Sequence, residues 1–151
     1  MPDEPLELAL RALGRRERSS AELSRWLSER GVAADEVEET VAHLEELGEL
    51  DDARFARRYA EDKRELAGWG AERIREALLE RGVPPEDIEA AMVADDAPGQ
   101  AERAAELLVR RGQALRSERD RGRALGYLTR KGYSYEIAHE AIRAFERNET
   151  A

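Results

Sequence analysis

Apolar residues along this chain recur at three- and four-residue intervals, with no convincing strand-like alternation. Leu23, Trp26 and Leu27 correspond to Ile74, Ala77 and Leu78, and again to Ala124, Tyr127 and Leu128. This i, i+3, i+4 spacing puts each trio on one buried face of an α-helix. Each of these helices ends at a basic residue followed by glycine, at Gly31, Gly82 and Gly132. Glycine suits the left-handed position just past a helix C-terminus, and a cation suits the carbonyl end of the helix.

The three glycines belong to a repeat. "LSERGVAADEVEETV" (Leu27 to Val41), "LLERGVPPEDIEAAM" (Leu78 to Met92) and "LTRKGYSYEIAHEAI" (Leu128 to Ile142) align, with glycine spacings of 51 and 50 residues. That period marks three copies of one supersecondary unit. A further helix follows each glycine, through Val37, Val41 and Leu44, through Ile88 and Met92, and through Ile137, Ile142 and Phe145. Pro84 and Pro85 suit the start of such a helix. A first helix precedes each trio, with apolar positions Leu6, Leu10 and Leu13, then Phe55, Tyr59 and Leu66, then Ala104, Leu107, Leu108 and Leu115. The expected fold is all-α, with three tandem three-helix repeats at residues 1–48, 49–96 and 97–151 and no clear strands. In the third copy Ile137 lies five steps beyond the glycine where the others show six, which predicts a different helix start there. "DDAPGQ", Asp95 to Gln100, combines Pro and Gly and is the expected linker and hinge. Units this small bury little surface alone, so packing on neighbours in an elongated, curved array is expected.

Composition agrees with helix and narrows the chemistry. Only 41% of the chain is hydrophobic while 39% is charged, a poor ratio for one large core. No cysteine is present, which excludes disulfides, thiolate metal sites and a cysteine nucleophile. No apolar run approaches the ~20 residues of a membrane span, and the acidic opening "MPDEP" is unlike a signal peptide. A cytoplasmic protein with no membrane partner is expected. The net charge of −9 argues against a general polyanion binder. It is uneven: residues 1–48 carry 6 basic and 12 acidic side chains, residues 49–96 carry 8 and 14, and residues 97–151 carry 11 and 8. The C-terminal third alone is basic.

The repeat layout together with "GELDDARFARRYAEDK", "GAERIREALLERGV" and "ALGYLTRKGYSYEIAHEAI" resembles the RecX family of bacterial regulators of the RecA recombinase, from about Leu6 to Arg147. The resemblance implies tandem three-helix units related in shape to winged-helix modules. It implies binding to the RecA–DNA filament across neighbouring subunits, with limits on filament growth, strand exchange and the coprotease activity behind the SOS response. Some members of the family also bind DNA. The acidic first two-thirds favours protein-on-protein contact over direct DNA binding in this chain.

The residues themselves supply few chemical candidates. Adjacent Asp51 and Asp52 do not face each other on a helix, so they form a poor acid/base pair or metal site and a good helix start. Phe55 and Tyr59 pack inward within the second repeat; with the two aspartates and Gly31, Gly82 and Gly132 they form the mainly structural signature. Arg57 and Arg58 lie on the outer face of the same helix and are candidate contacts. Trp69, between two glycines, either covers its own core or contacts a partner. Trp26 is core by spacing. In the third repeat Arg116, Arg119, Arg121, Arg123, Tyr127, Arg130, Lys131, Tyr133 and Tyr135 interleave cations with aromatics and are the candidate contact to DNA or to an acidic groove. His43 and His139 lack metal-ligand spacing, and "GWG" lacks the spacing of a phosphate loop. A non-enzymatic, monomeric protein without metal or cofactor is expected. The alternative is a helical DNA-binding module that acts without RecA.

Overall fold

In the computed structural model the described residues are 4–150, with side chains through Asn148. Met1, Pro2 and Asp3 of the acidic opening lie outside them, as does Ala151. Among the described residues there are nine α-helices and no strand: α1 (Glu4–Arg15), α2 (Ser20–Glu29), α3 (Ala34–Glu46), α4 (Asp52–Leu66), α5 (Ala71–Glu80), α6 (Pro85–Met92), α7 (Ala97–Arg111), α8 (Glu118–Lys131) and α9 (Tyr135–Thr150). The all-α, repeated three-helix fold expected from the periodicity is the one observed.

Packing groups the residues into two compact units. One gathers the residues up to Arg58 with Leu78–Ala90, and the other gathers Tyr59–Ala77 with the residues from Ala91 onward. Helices α4 and α5 each contribute residues to both.

In the first unit the core around α1–α3 comprises Ala9, Ala12, Leu23, Leu27, Val37, Val41, Leu44 and Leu50. On α1 the buried positions are Pro5, Ala9 and Ala12, whereas Leu6 and Leu13 are half-buried and Leu10 is exposed. The expected leucine face is therefore rotated. An alanine stripe lets α1 approach its neighbours closely, and the longer leucines close the seam from the sides. Trp26 is likewise only half-buried, with the Arg30 guanidinium 3.7 Å from its ring centre. The same rotation occurs on α4. Ala56 and Ala60 are fully buried beside Phe55, Tyr59 is half-buried, and Leu66 is 84% exposed.

The second unit has its core in Ala104, Ala105, Leu107, Leu108, Ala124, Leu128, Tyr133, Ala138, Ala141, Ile142 and Phe145. Two expectations change here. The third repeat does not start its last helix differently, because α3, α6 and α9 all begin three residues beyond the glycine. The buried residue six steps on is Ala138, matching Val37 and Ile88, while Ile137 is only half-buried. Nor is "DDAPGQ" a free linker. Asp96 accepts the Gly99 N–H at 2.8 Å and caps α7, whose first turn includes Pro98, and Asp95 is buried.

A common device closes each middle helix. The residue after the glycine donates its N–H to a carbonyl five residues earlier, Val32 to Leu27, Val83 to Leu78 and Tyr133 to Leu128. This is a Schellman closure that satisfies carbonyls the helix leaves open. Two of these ends also receive another helix head-on. In the first unit the N-terminus of α2 meets the C-terminus of α5: Ser19 Oγ accepts from the Glu22 N–H and donates to the Arg81 carbonyl at 2.6 Å. In the second unit the start of α5 meets the end of α8, where Gly70 N–H donates to the Lys131 carbonyl at 2.8 Å and Glu72 N–H to the Gly132 carbonyl at 3.1 Å. Orphan donors of one helix thereby satisfy orphan acceptors of the next, with the dipoles aligned. Glycine is required at both meetings. Gly82 (φ +79°) and Gly132 (φ +104°) are left-handed, and a Cβ would press on the Ala21 Cβ at Gly82 and on Arg73 at Gly132.

Candidate partner-contact surface

In the second unit the turn between α4 and α5 is pinned from below. Tyr133 takes the position held by Val32 and Val83 in the other copies and is 1% exposed. Its hydroxyl donates to the Gly68 carbonyl at 2.9 Å and accepts from Arg103 Nε at 3.0 Å. Arg103 also donates to both Asp95 oxygens, at 2.8 and 3.1 Å, and to the Trp69 carbonyl at 3.2 Å. Arg64 Nε stands 3.4 Å from the same carboxylate. Burial alone would lower the Arg103 pKa, but its hydrogen bond to Asp95 and the surrounding negative potential hold it above the ordinary value. Burial raises the Tyr133 hydroxyl, against the opposing pull of Arg103.

Trp69 sits on this base. Its backbone N–H donates to the Lys63 carbonyl at 3.0 Å, and Tyr59 meets its ring edge-on with centroids 6.4 Å apart. Lys63 Nζ lies 4.7 Å and the Arg73 guanidinium 4.0 Å from the Trp69 ring centre. Cations so placed are held by the ring quadrupole, a contribution of about 0.5–2 kcal/mol each. Arg73 Nη1 donates to the Arg130 carbonyl at 3.4 Å, and Lys131 Nζ to the Ala67 carbonyl at 3.1 Å. Tyr127 continues the cluster, with Lys131 Nζ 6.0 Å and the Arg111 guanidinium 4.1 Å from its ring. Four cations (Lys63, Arg73, Arg111, Lys131) thus surround Tyr59, Trp69 and Tyr127. Among the described residues none of the four forms an ion pair with a carboxylate. Such a surface suits anionic oxygens, either phosphates or the carboxylates of a protein.

The candidates from sequence separate accordingly. Trp69, Tyr127 and Lys131 come together here, joined by Lys63, Arg73 and Arg111, while Arg130 contributes its backbone carbonyl. Tyr133 is a correction: buried beneath the turn, it is a support and cannot be a contact. Lys63 and Arg73 gave little warning in the sequence, because only the turn between α4 and α5 brings them to Trp69. Arg119 and Arg123 are exposed on α8, whereas Arg121 is paired with Glu118 at 3.2 Å and Glu146 at 2.9 Å. Tyr135 is exposed, with its ring 4.2 Å from that of His139.

In the first unit Arg57 is exposed, and Arg58 pairs with Glu17 at 2.6 Å. Asp51 accepts the Arg54 N–H at 3.0 Å and so starts α4. Asp52 does something else, accepting the Ser20 N–H at 2.8 Å at the start of α2. The adjacent carboxylates therefore serve two different helices. Phe55 is buried and lies 5.6 Å from the Arg81 guanidinium. No group of three or more His, Cys, Asp or Glu side chains suited to a metal occurs among the described residues. No described helix is long and apolar enough to cross a membrane.

Family models for the RecX first three-helix domain and the RecX second three-helix domain match residues 6–44 and 51–92. The regulatory protein RecX of Deinococcus radiodurans is 38% identical over 139 residues, covering 91% of this chain and 66% of that protein. That of Trichlorobacter lovleyi is 34% identical over 137 residues, covering 87% and 89%. The fold matches a crystal structure of RecX from Lactobacillus salivarius with a TM-score of 0.86 over 96% of both chains, at 22% identity. With both domain models matched and relatives aligned over most of its length, the chain belongs to the RecX family of regulatory proteins.

Proposed function

We propose that this chain is a non-enzymatic regulator of the RecA recombinase. It binds the RecA–DNA filament across neighbouring subunits as a cytoplasmic monomer and limits filament assembly, strand exchange and the coprotease activity of the SOS response. The observation that carries this reading is membership of the RecX family, through two matched domains and relatives aligned along most of the chain. The cation–aromatic surface around Trp69 supports it as the part of the chain most suited to an acidic protein patch or to filament DNA. A protein that binds one filament state more tightly than another shifts the population by that difference in affinity.

The test is to add the chain to RecA assembled on single-stranded DNA and to follow ATP hydrolysis and filament length. Shorter filaments with slower hydrolysis are expected. No binding to the filament, with both quantities unchanged, would defeat the proposal.

The same surface favours a second reading, a helical module that binds DNA without RecA. Stacking on Tyr127 or Trp69 with phosphates on the flanking cations is its chemistry. Tight, salt-sensitive binding to bare single-stranded DNA, with no further gain when RecA is present, would select it.

A further inference from the structure

A groove of 970 Å³ runs between α7 and α9, within the second unit and lined by other residues than the Trp69 surface. Its lining is apolar along the middle, with Ala101, Ala105, Val109, Ile137, Ala144 and Phe145. One of these is not needed by the core: Val109 is 64% exposed. Ile137, which Ala138 displaces from the repeat register, packs against the core but is only half-buried. Alanines at 97, 101 and 105 keep the α7 side shallow enough for another backbone to come close.

The margin is acidic. Glu102 and Glu106 stand exposed on α7, and Glu136 and Glu140 line the α9 side. The two arginines in the lining, Arg143 and Arg147, both turn to Glu140, at 2.8 and 3.5 Å. Glu102, Glu106 and Glu136 carry no ion pair among the described residues. The lined length, Ala97 to Val109 on α7, is about 18 Å at the helical rise per residue, or roughly three turns of a bound helix.

We infer that the α7–α9 groove docks a basic amphipathic helix of a partner protein, its apolar stripe on the Ala101–Ala105–Phe145 floor and its lysines or arginines against Glu102, Glu106 and Glu136. A helix is preferred over a strand because the groove lies between two helices and offers no open sheet edge, and anchors at i, i+3, i+4 and i+7 fit such a floor. Charge sets which helices are accepted: an acidic stripe-bearing helix meets like charges and is excluded.

The test uses a fluorescent 18-residue helical peptide of leucine, alanine and lysine, with one leucine stripe flanked by lysines, read by anisotropy on the full chain. Binding that weakens with salt is expected, with at least a tenfold loss for E102K/E106K and a comparable loss for V109D. All three are exposed positions, so the fold is retained. The same peptide with glutamate for lysine should not bind. E38K/E39K, which reverses two exposed charges on α3, should leave the affinity unchanged. Equal losses for E38K/E39K and E102K/E106K would show attraction to the general negative charge and overturn the inference. So would undiminished binding by E102K/E106K, or binding of the glutamate peptide. Sedimentation that showed a dimer abolished by E102K/E106K would assign the groove to a second copy of the chain and overturn the partner-helix reading.

Discussion

Single atoms decide much of this chain's tolerance to change, and Gly132 is the sharpest case. A Cβ there would collide with Arg73, including its backbone N and Cα, at a left-handed φ of +104°. Gly31 has a similar φ of +83° but nothing within 4 Å. Gly31→Ala should therefore cost only the left-handed penalty of about 1 kcal/mol, and Gly132→Ala about 1–3 kcal/mol more, as measured by urea unfolding. The glycine pattern was legible in sequence as a helix end; the contact that separates the two was not, since its partner lies some 60 residues away in the chain. Tyr133 is a second case. Its raised pKa means that the unfolded chain releases the hydroxyl proton first as pH passes the ordinary value of 10.0. Its contribution is thus complete below that pH and is lost as pH climbs through the higher native value. Tyr133→Phe should lower stability at neutral pH by about 1–3 kcal/mol, because Gly68 and Arg103 lose a partner. It should also flatten the alkaline fall in stability, measured by unfolding between neutral and strongly alkaline pH.

At the scale of elements, helix identity followed from periodicity but helix rotation did not. Leu6, Leu10, Leu13 and Leu66 looked like core because leucine at helical spacing usually is. The structure buries Ala9, Ala12, Ala56 and Ala60 instead. Small residues let helices pack at short range, and a one-dimensional pattern of apolar residues cannot show which side of a wide apolar stripe a neighbour will occupy. Asp95 illustrates the opposite error: charge, proline and glycine suggested a hinge, yet its side chain is only 3% exposed between Arg64 and Arg103. Removing one member of a buried charged group leaves its partners unpaired, at a cost of roughly 3–5 kcal/mol. Asp95→Ala should lose that much by urea unfolding and loosen the turn that carries Trp69, seen as faster amide exchange at Trp69 and Gly70.

For the whole molecule, charge is the property that spans repeats. Net charges of −6, −6 and +3 along the three stretches were evident from the residues alone. What folding adds is the location: Lys63 and Arg73, which belong to the acidic middle stretch, join Lys131 from the basic one around the turn that carries Trp69. Reversing Lys63 and Arg73 together (K63E/R73E) should weaken binding to a RecA–DNA filament at least tenfold in low salt and make the remaining affinity less salt-dependent. Reversing Arg119 and Arg123 should do less; co-sedimentation with filaments across a salt series checks both. The sequence by itself determined the helical class, the 50-residue period, the glycine-closed middle helices and the family, because these rest on local propensity, on spacing within about ten residues and on the recurrence of one motif along the chain. Only the tertiary structure decided which alanines form the core, that Tyr133 is a buried support, that Asp51 and Asp52 serve different helices, and that a groove with an acidic margin lies between α7 and α9. Those facts depend on side chains distant in the chain meeting at a few ångströms, and on which face of each helix the neighbours cover.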